Sequence, residues 1–267
     1  MSAHATQAAA PTLSVAVADH NLTVAGAENL GSGPVRLRFS GVELSHPHTV
    51  AVIELKPGAS PEDLRQTPDD AAGAAGPSRS AGRLILENEA MVEKYGRIVA
   101  GGEVSAAADH VTTITARARD FVVADVTTEN GRNATFTVDE RASGARLPRS
   151  DATIGLRDTG FALSSPLPGQ GVIRIANQGD RPHQVTAYRL KRTVSYAEAK
   201  RAAIKGRVLN GYGASTVLTG IVSPGTVNRV EVALRPGRYL VISHYAPLKL
   251  GAWDDVLHGL VSFARVR

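Results

Sequence analysis

The sequence contains no cysteine among its 267 residues. This absence excludes disulfide bonds, cysteine nucleophiles and every copper centre that needs a thiolate ligand. Aromatic residues make up only 4% of the chain, so the core must be built mainly from Val, Leu, Ile and Ala. No apolar run approaches the ~20 residues that a membrane-spanning helix needs. The sequence therefore predicts a globular protein of one large domain or two modest ones, with no transmembrane segment.

Charge is unevenly distributed along the chain. Residues 1–140 contain 11 Lys/Arg and 18 Asp/Glu, a net charge of −7, whereas residues 141–267 contain 19 and 7, a net charge of +12. The simplest interpretation is two differently charged solvated surfaces, and the alternative is electrostatic pairing between the halves, between copies, or with an anionic surface. We expect a protein partner or self-association through the oppositely charged halves. We expect no nucleic acid partner, because the basic residues do not cluster with aromatic ones.

The first eleven residues lack the basic and apolar regions of an intact signal peptide. The stretch Ala3-His-Ala5 nevertheless has the small-x-small form that precedes a cleavage site. We therefore expect a disordered tail over residues 1–12. The location is expected to be extracellular or in the cell envelope if a leader has been removed, and cytoplasmic if Met1 is the native start.

An internal repeat divides the chain. Pro47–Ser60 aligns without a gap with Pro182–Ser195, at an offset of 135 and with 6 of 14 positions identical. Farther along, Val104–Asp125 aligns with Val222–Ser243 at an offset of 118. Before both blocks, the short match of residues 15–19 with residues 154–158 ends on an aspartate in each copy, Asp19 and Asp158.

The repeat predicts two divergent copies of one domain. The acidic copy covers residues 13–140, a linker covers 141–151, and the basic copy covers 152–267. The fall in offset gives the first copy 17 additional residues, which we place in a flexible, Gly/Ala/Pro/Ser-rich insertion near residues 67–82.

Each copy has the pattern of short strands, with apolar residues at every second position and Pro-Gly turns between strands. This pattern indicates an all-β sandwich. The predicted strands are Val35–Phe39, Val50–Leu55, Val172–Ile175, Val185–Leu190, Val230–Leu234 and Tyr239–Ile242. Ser60 and Ser195 are each followed three residues later by an acid, as at a helix N-cap, and a short helix is predicted over Tyr196–Ala203.

The segment Ile175-Ala-Asn-Gln-Gly-Asp-Arg-Pro-His-Gln-Val185 resembles the cupredoxin-like family, especially its bacterial form with a helical insertion. Residues 223–242 are similar to the next hallmark of that family, two Pro-Gly turns that flank an alternating strand and lead into an aromatic-led strand. The resemblance implies two tandem cupredoxin-like Greek-key β-sandwiches, each with a short helical insertion.

In copper-binding members of that family the metal is held by a His after the Pro, then a Cys, a second His and usually a Met. Only the first ligand maps here, to His183 and, in the first copy, to His48. The Cys position holds Ser243 in the second copy and Asp125 in the first, and Leu260 is nearest to the Met position. The resemblance therefore implies the fold without type 1 copper.

Other chemistry remains open at the histidines. The cupredoxin-like topology brings His183, His244 and His258 to one end of the second domain, where Asp254 or Asp255 could complete a Cu or Zn site; His46 and His48 lie near the end of the first. A hydrolytic site at Ser243 is disfavoured, because the adjacent His244 faces the other way on a strand.

We expect no catalytic residue and no cofactor. The favoured function is a non-catalytic binding or assembly protein built from two copper-free cupredoxin-like domains. The alternative is a metal-binding protein or metalloenzyme that uses the histidine cluster of the second domain.

Overall fold

The computed structural model describes residues 8–64, 92–106, 108–127, 132–164, 166–205, 209–243 and 260–267. The predicted insertion at 67–82 and the first seven residues of the predicted tail lie outside these ranges. Strand β1 begins at Thr12, the last residue of that tail. In this described part of the chain, no helix combines the length and apolar character that crossing a membrane requires.

The described residues of the first copy form eight strands, which make up two four-stranded sheets. One sheet has the order β2-β1-β3-β6 and the other β8-β7-β4-β5, with a short parallel contact between β3 and β8. The strands are β1 (Thr12–Ala18), β2 (Asn21–Ala25), β3 (Gly31–Gly41), β4 (His48–Leu55), β5 (Gly96–Val104), β6 (His110–Ala116), β7 (Arg119–Asp125) and β8 (Asn133–Ala142).

The second copy repeats this order strand for strand. Its sheets run β10-β9-β11-β14 and β16-β15-β12-β13. The strands are β9 (Ala152–Arg157), β10 (Gly160–Leu163), β11 (Gln170–Asn177), β12 (His183–Leu190), β13 (Gly213–Val222), β14 (Val227–Ala233), β15 (Gly237–Ile242) and β16 (Val261–Val266). The equal pairing order in two stretches of low sequence similarity agrees with the repeat.

Alternation along the strands builds the core of each copy. In β1, Leu13, Val15 and Val17 are fully buried, while Thr12 before them and Ser14 between the first two are exposed. Because successive side chains of a strand point to opposite faces, this alternation lines one face of each sheet with apolar residues. One cluster of buried residues extends from Leu13 to Val138 and a second from Ala152 to Val266, so each copy has a core of its own.

The predicted helix is present in the second copy as α1, Tyr196–Ile204. The Ser195 hydroxyl accepts a hydrogen bond from the Glu198 amide, which caps the helix as the sequence predicts. In the first copy the described counterpart is a single 3-10 turn, Pro61–Leu64, where the Asp63 carboxylate accepts from both the amide and the hydroxyl of Ser60.

Strand β14 of the second copy pairs antiparallel with β6 of the first. In this ladder Thr112 lies opposite Val230, and the offset of 118 makes these two residues counterparts in the repeat. The two copies are therefore related by an approximate two-fold axis through this pair. The pairing produces a continuous eight-stranded sheet with the order β10-β9-β11-β14-β6-β3-β1-β2.

The second sheets of the two copies also meet, through the counterpart strands β5 and β13. Here a Cβ atom on Gly220 would lie 2.8 Å from the Gly101 carbonyl carbon and the Gly102 nitrogen. Beside this contact Ile98 and Ser223 exchange two hydrogen bonds of 2.9 Å, amide to hydroxyl and amide to carbonyl. The predicted linker begins at Arg141, within β8, and ends one residue before β9.

Gly220→Ala should weaken the contact between the two copies. The added methyl group meets backbone atoms that cannot rotate away, and overpacking of this kind costs about 1–3 kcal/mol of unfolding free energy. Chemical denaturation followed by circular dichroism measures the change. Gly211→Ala is the control, because a Cβ atom there meets nothing within 4 Å; equal stability of the two variants would contradict a tight crossing at Gly220.

His110 is buried at the start of β6, where its ring lies 5.8 Å from the Phe39 ring. A Cβ atom on Gly102 would lie 2.6 Å from the His110 ring, so this glycine makes room for the imidazole. Burial lowers the pKa of His110 from 6.5 to about 4, although a backbone hydrogen bond with Gly101 partly opposes the shift. The imidazole is therefore neutral in the folded protein at neutral pH.

This lowered pKa predicts a loss of stability in acid. Below about pH 6.5 the unfolded chain binds a proton at His110 that the folded chain does not bind until about pH 4. The contribution of the neutral His110 to the free energy of unfolding is therefore complete above pH 6.5. It falls by roughly 3 kcal/mol as the pH is lowered from 6.5 to 4. Denaturant titrations across this range should show a smaller acid loss in His110→Phe. The exposed His20→Gln should behave like the wild type, and an unchanged acid loss in His110→Phe would contradict the assignment.

Candidate functional site

His48, the first residue of β4, has a fully buried side chain that lies between two carboxylates. Its Nδ1 is 2.7 Å from Asp125 Oδ2, at hydrogen-bond distance. Its Nε2 is 3.3 Å from Asp19 Oδ1, within ion-pair distance but without hydrogen-bond geometry. The ends of β1, β4 and β7 thus meet at a single imidazole.

Asp125 is itself buried and is held at the end of β7. Its Oδ1 accepts a hydrogen bond of 3.0 Å from the Thr127 amide. Arg132 lies nearby, with Nη1 3.7 Å from Asp125 Oδ2, and donates from the same atom to the Ala18 carbonyl at 2.6 Å. These contacts fix the carboxylate on the Nδ1 side of His48.

This arrangement does not fit type 1 copper. The residue at the position of the expected thiolate is Asp125, and it contacts the histidine directly. Blue-copper chemistry depends on a thiolate bond to the metal, and the sequence has no cysteine to provide one. In the first copy His48 instead forms a buried histidine–carboxylate pair with Asp125.

On the other side of His48, Asp19 and His46 come together in loops. The Ser45 amide donates to both carboxylate oxygens of Asp19 at 3.1 Å. Hydrogen bonding from the side chain and the amide of Ser45 lowers the pKa of Asp19. The exposed His46 ring stacks on His48, with centroids 4.6 Å apart. Asp19, His46 and His48 each offer one ligand atom, all within 4.8 Å of one another.

The second copy has a related but different centre. His183, buried at the start of β12, has Nε2 3.2 Å from Asp158 Oδ1. Asp158 also accepts from the amides of Asp180 and Arg181. Burial raises the pKa of Asp158, but the hydrogen bonds from Asp180 and His183 outweigh it, and the net shift is downward. The offset of 135 places Arg181 at the position of His46, and Ser243, also buried, stands where the first copy has Asp125.

The histidine cluster predicted for the second copy is only partly within the described residues. His183 lies at the start of β12 in that copy, and Asp158 is one of its partners. His244, His258, Asp254 and Asp255 lie outside the described residues, so their association with His183 stays a prediction.

The carboxylates that accompany the histidines were not among the site residues predicted from sequence. Asp19 and Asp158 end the matching segments that precede the histidine blocks of the two copies. Two aspartates at equivalent positions, each upstream of an equivalent histidine, are a signal that could have paired them.

A second feature is a row of cations on the outer face of the continuous sheet. Arg174 of β11 lies directly opposite Arg229 of β14. Burial and the charge of Arg174 lower the pKa of Arg229, whose buried Nε has no hydrogen-bond partner among the described residues. The nearest carboxylate on this face of β14, Glu231, is engaged by Arg36 of the other copy through two bonds of 2.7 and 3.0 Å.

No protein-family model matches the sequence, and no curated protein matches it. Among solved structures, a reduced auracyanin from Roseiflexus castenholzii is 15% identical and covers 45% of this chain and 99% of its own, with a TM-score of 0.28. Lac15 from a marine microbial metagenome is 13% identical over 96% of this chain and 65% of its own, with a TM-score of 0.31. Copper nitrite reductase from Nitrosomonas europaea is 9% identical over 96% of this chain and 93% of its own, with a TM-score of 0.25.

The chain is thus structurally similar to cupredoxin and multicopper oxidase proteins. TM-scores of this size carry no argument.

Removal of the Asp125 carboxylate should destabilise the first copy. Asp125→Ala leaves the buried Nδ1 of His48 without its acceptor, and a lost partner of this kind costs about 2–4 kcal/mol. Denaturant unfolding of the whole chain measures the loss. Asp120→Ala is the control, because Asp120 is exposed near the start of the same strand, where its carboxylate accepts a hydrogen bond from Thr137 Oγ1. A loss at Asp125 no larger than that at Asp120 would contradict a structural role for the buried pair.

Proposed function

We propose that the chain is a non-catalytic binding or assembly protein built from two copper-free cupredoxin-like domains. Each would be a Greek-key β-sandwich with a short helical insertion, as the resemblance of residues 175–185 and 223–242 implies. The equal strand order of the two copies supports a shared domain plan. The Asp125–His48 pair at the expected copper position supports a role other than electron transfer.

The observation that carries the proposal is the facing pair Arg174 and Arg229. Like charges directly opposite each other on neighbouring strands destabilise a sheet, and Arg229 is desolvated as well. Guanidinium groups bind carboxylates strongly and with defined geometry. A carboxylate from a partner would relieve the repulsion between the two guanidinium groups. The face is formed by β11, β14, β6 and β3, so both domains contribute to it.

The acidic first domain of another molecule of the same protein has the chemistry of such a partner. Residues 1–140 carry a net charge of −7, and the described part of that domain exposes carboxylates at several strand ends and loops. These include Glu28, Glu43, Glu62, Asp120, Asp139 and Glu140. Contact between the acidic surface of one protein molecule and the basic surface of the next is heterologous. Such contacts form rings or filaments rather than a closed two-fold dimer.

Self-association should therefore depend on salt. We expect oligomers in about 0.01 M salt, where the Debye length is ~30 Å, and monomers in about 1 M salt, where it is ~3 Å. Sedimentation velocity over a range of protein concentrations measures the association constant. Arg174→Glu should reduce it at least about tenfold, since it removes one cation of the facing pair and adds a carboxylate.

Arg201→Glu is the matched control for this experiment. It makes the same change in net charge, but Arg201 lies on α1, which contacts β15 in the other sheet. Equal effects of the two variants would assign the association to net charge rather than to the arginine face. Monomers at both salt concentrations would overturn the assembly proposal.

A further inference from the structure

We propose that Asp19, His46 and His48 bind one divalent cation of the zinc type at the loop end of the first domain. This site is independent of the arginine face. Two imidazoles and one carboxylate are a ligand set that Zn²⁺ accepts, with water in the remaining position. The three side chains offer ligand atoms within 4.8 Å of one another.

The Nε2 atom of His48 points to a ligand on this side of the ring. It is buried and has no hydrogen-bond partner among the residues that the structure describes, a costly state for a polar atom. Its distance of 3.3 Å to Asp19 Oδ1 equals the ~3.3 Å edge of a tetrahedron with Zn–N and Zn–O bonds of about 2.0–2.1 Å. Two of the three ligands are thus already spaced for a tetrahedral ion.

The surrounding contacts orient these ligands. Asp125 holds Nδ1 of His48 at 2.7 Å, which is the carboxylate–histidine arrangement that fixes the ring and strengthens Nε2 as a donor to metal. The Ser45 amide holds the Asp19 carboxylate through both oxygens. His46 is exposed, and its Nδ1 lies 2.9 Å from the Ser45 hydroxyl, so a turn of its ring from the stacked position would present Nε2 to the ion.

The site lies on the opposite side of His48 from the expected copper position. The residue that aligns with the copper thiolate is Asp125, and it contacts Nδ1. Asp19 and His46 lie on the Nε2 side. The ion proposed here would therefore use a different atom of His48 from the one that faces the position of the missing thiolate.

The second copy lacks this ligand set among its described residues. Asp158 and His183 are the counterparts of Asp19 and His48, but Arg181 replaces His46. An arginine stays protonated and cannot donate an electron pair to a metal, and its charge repels a cation. The inference is therefore specific: one ion per chain, in the first domain.

Isothermal titration of the untagged full chain with Zn²⁺ alone tests the site. We expect one ion per chain, and at least about tenfold weaker binding in His46→Ala and in Asp19→Asn. Zn²⁺ should also raise the melting temperature of the wild type, because a ligand that binds only the folded state stabilises it. It should raise that of His46→Ala much less. Neither substitution removes a buried side chain, so both variants are expected to fold.

His20→Ala and His183→Ala are the controls. His20 is exposed and adjacent to Asp19 but outside the proposed ligand set, so its removal should leave binding unchanged. Zn²⁺ binding that survives in His46→Ala at wild-type strength would overturn the proposal. Loss of binding in His183→Ala alone would overturn it as well and would assign the metal to the histidine cluster predicted for the second domain.

Discussion

The antiparallel pairing of β6 with β14 is the contact on which the arrangement of the whole chain depends. Each domain, taken alone, would leave one of these counterpart strands at the edge of a sheet, with unpaired amides and carbonyls open to any other strand. Pairing the two edges satisfies both, and the two-fold relation through Thr112 and Val230 follows from using the same strand twice. Such an isologous contact is typical of homodimers, and here it occurs within a single chain.

This pairing also determines which surfaces remain available. It merges two four-stranded sheets into one eight-stranded sheet, so that Arg174 and Arg36, which belong to different domains, share one face. It also brings β5 against β13, where a glycine is needed because backbone meets backbone. The ion pair between Arg36 and Glu231 then has a polarity opposite to the net charges of the halves, with the cation in the acidic domain. The net charges of the two halves therefore do not predict which half provides the cation of this ion pair between the copies.

Much of the fold could be predicted from the sequence, because a strand with one buried face has apolar residues at every second position. All six predicted strands coincide with observed strands, apart from Leu234, one residue beyond β14. The cap of α1 was readable for the same reason, since a serine and a glutamate at fixed spacing suffice. The pairing of β6 with β14 could not be predicted. The repeat shows that two strands are equivalent, but equivalence in sequence carries no information on contact.

The site was harder to predict because its residues come from three separate strand ends. His48 was expected to be important through its place after a proline, whereas Asp19 lies 29 positions upstream and becomes its neighbour only when the end of β1 and the start of β4 come together. The match of residues 15–19 with residues 154–158 contained the information. The alternation of apolar residues identifies the core positions within strands. Asp19 and His48 lie at strand ends, where this alternation stops.

The two copies show how one scaffold supports two different electrostatic environments. Both keep an aspartate beside the Nε2 atom of a buried histidine, because this contact joins the ends of two core strands and the buried imidazole needs polar neighbours. The residue two positions before the histidine lies outside that contact and is free to differ, His46 in one copy and Arg181 in the other. The histidine makes the acidic domain a suitable host for a cation, whereas the arginine excludes a cation from the basic domain. Divergence at this loop position and at the buried position held by Asp125 in one copy and Ser243 in the other therefore separates the chemistry of the two copies.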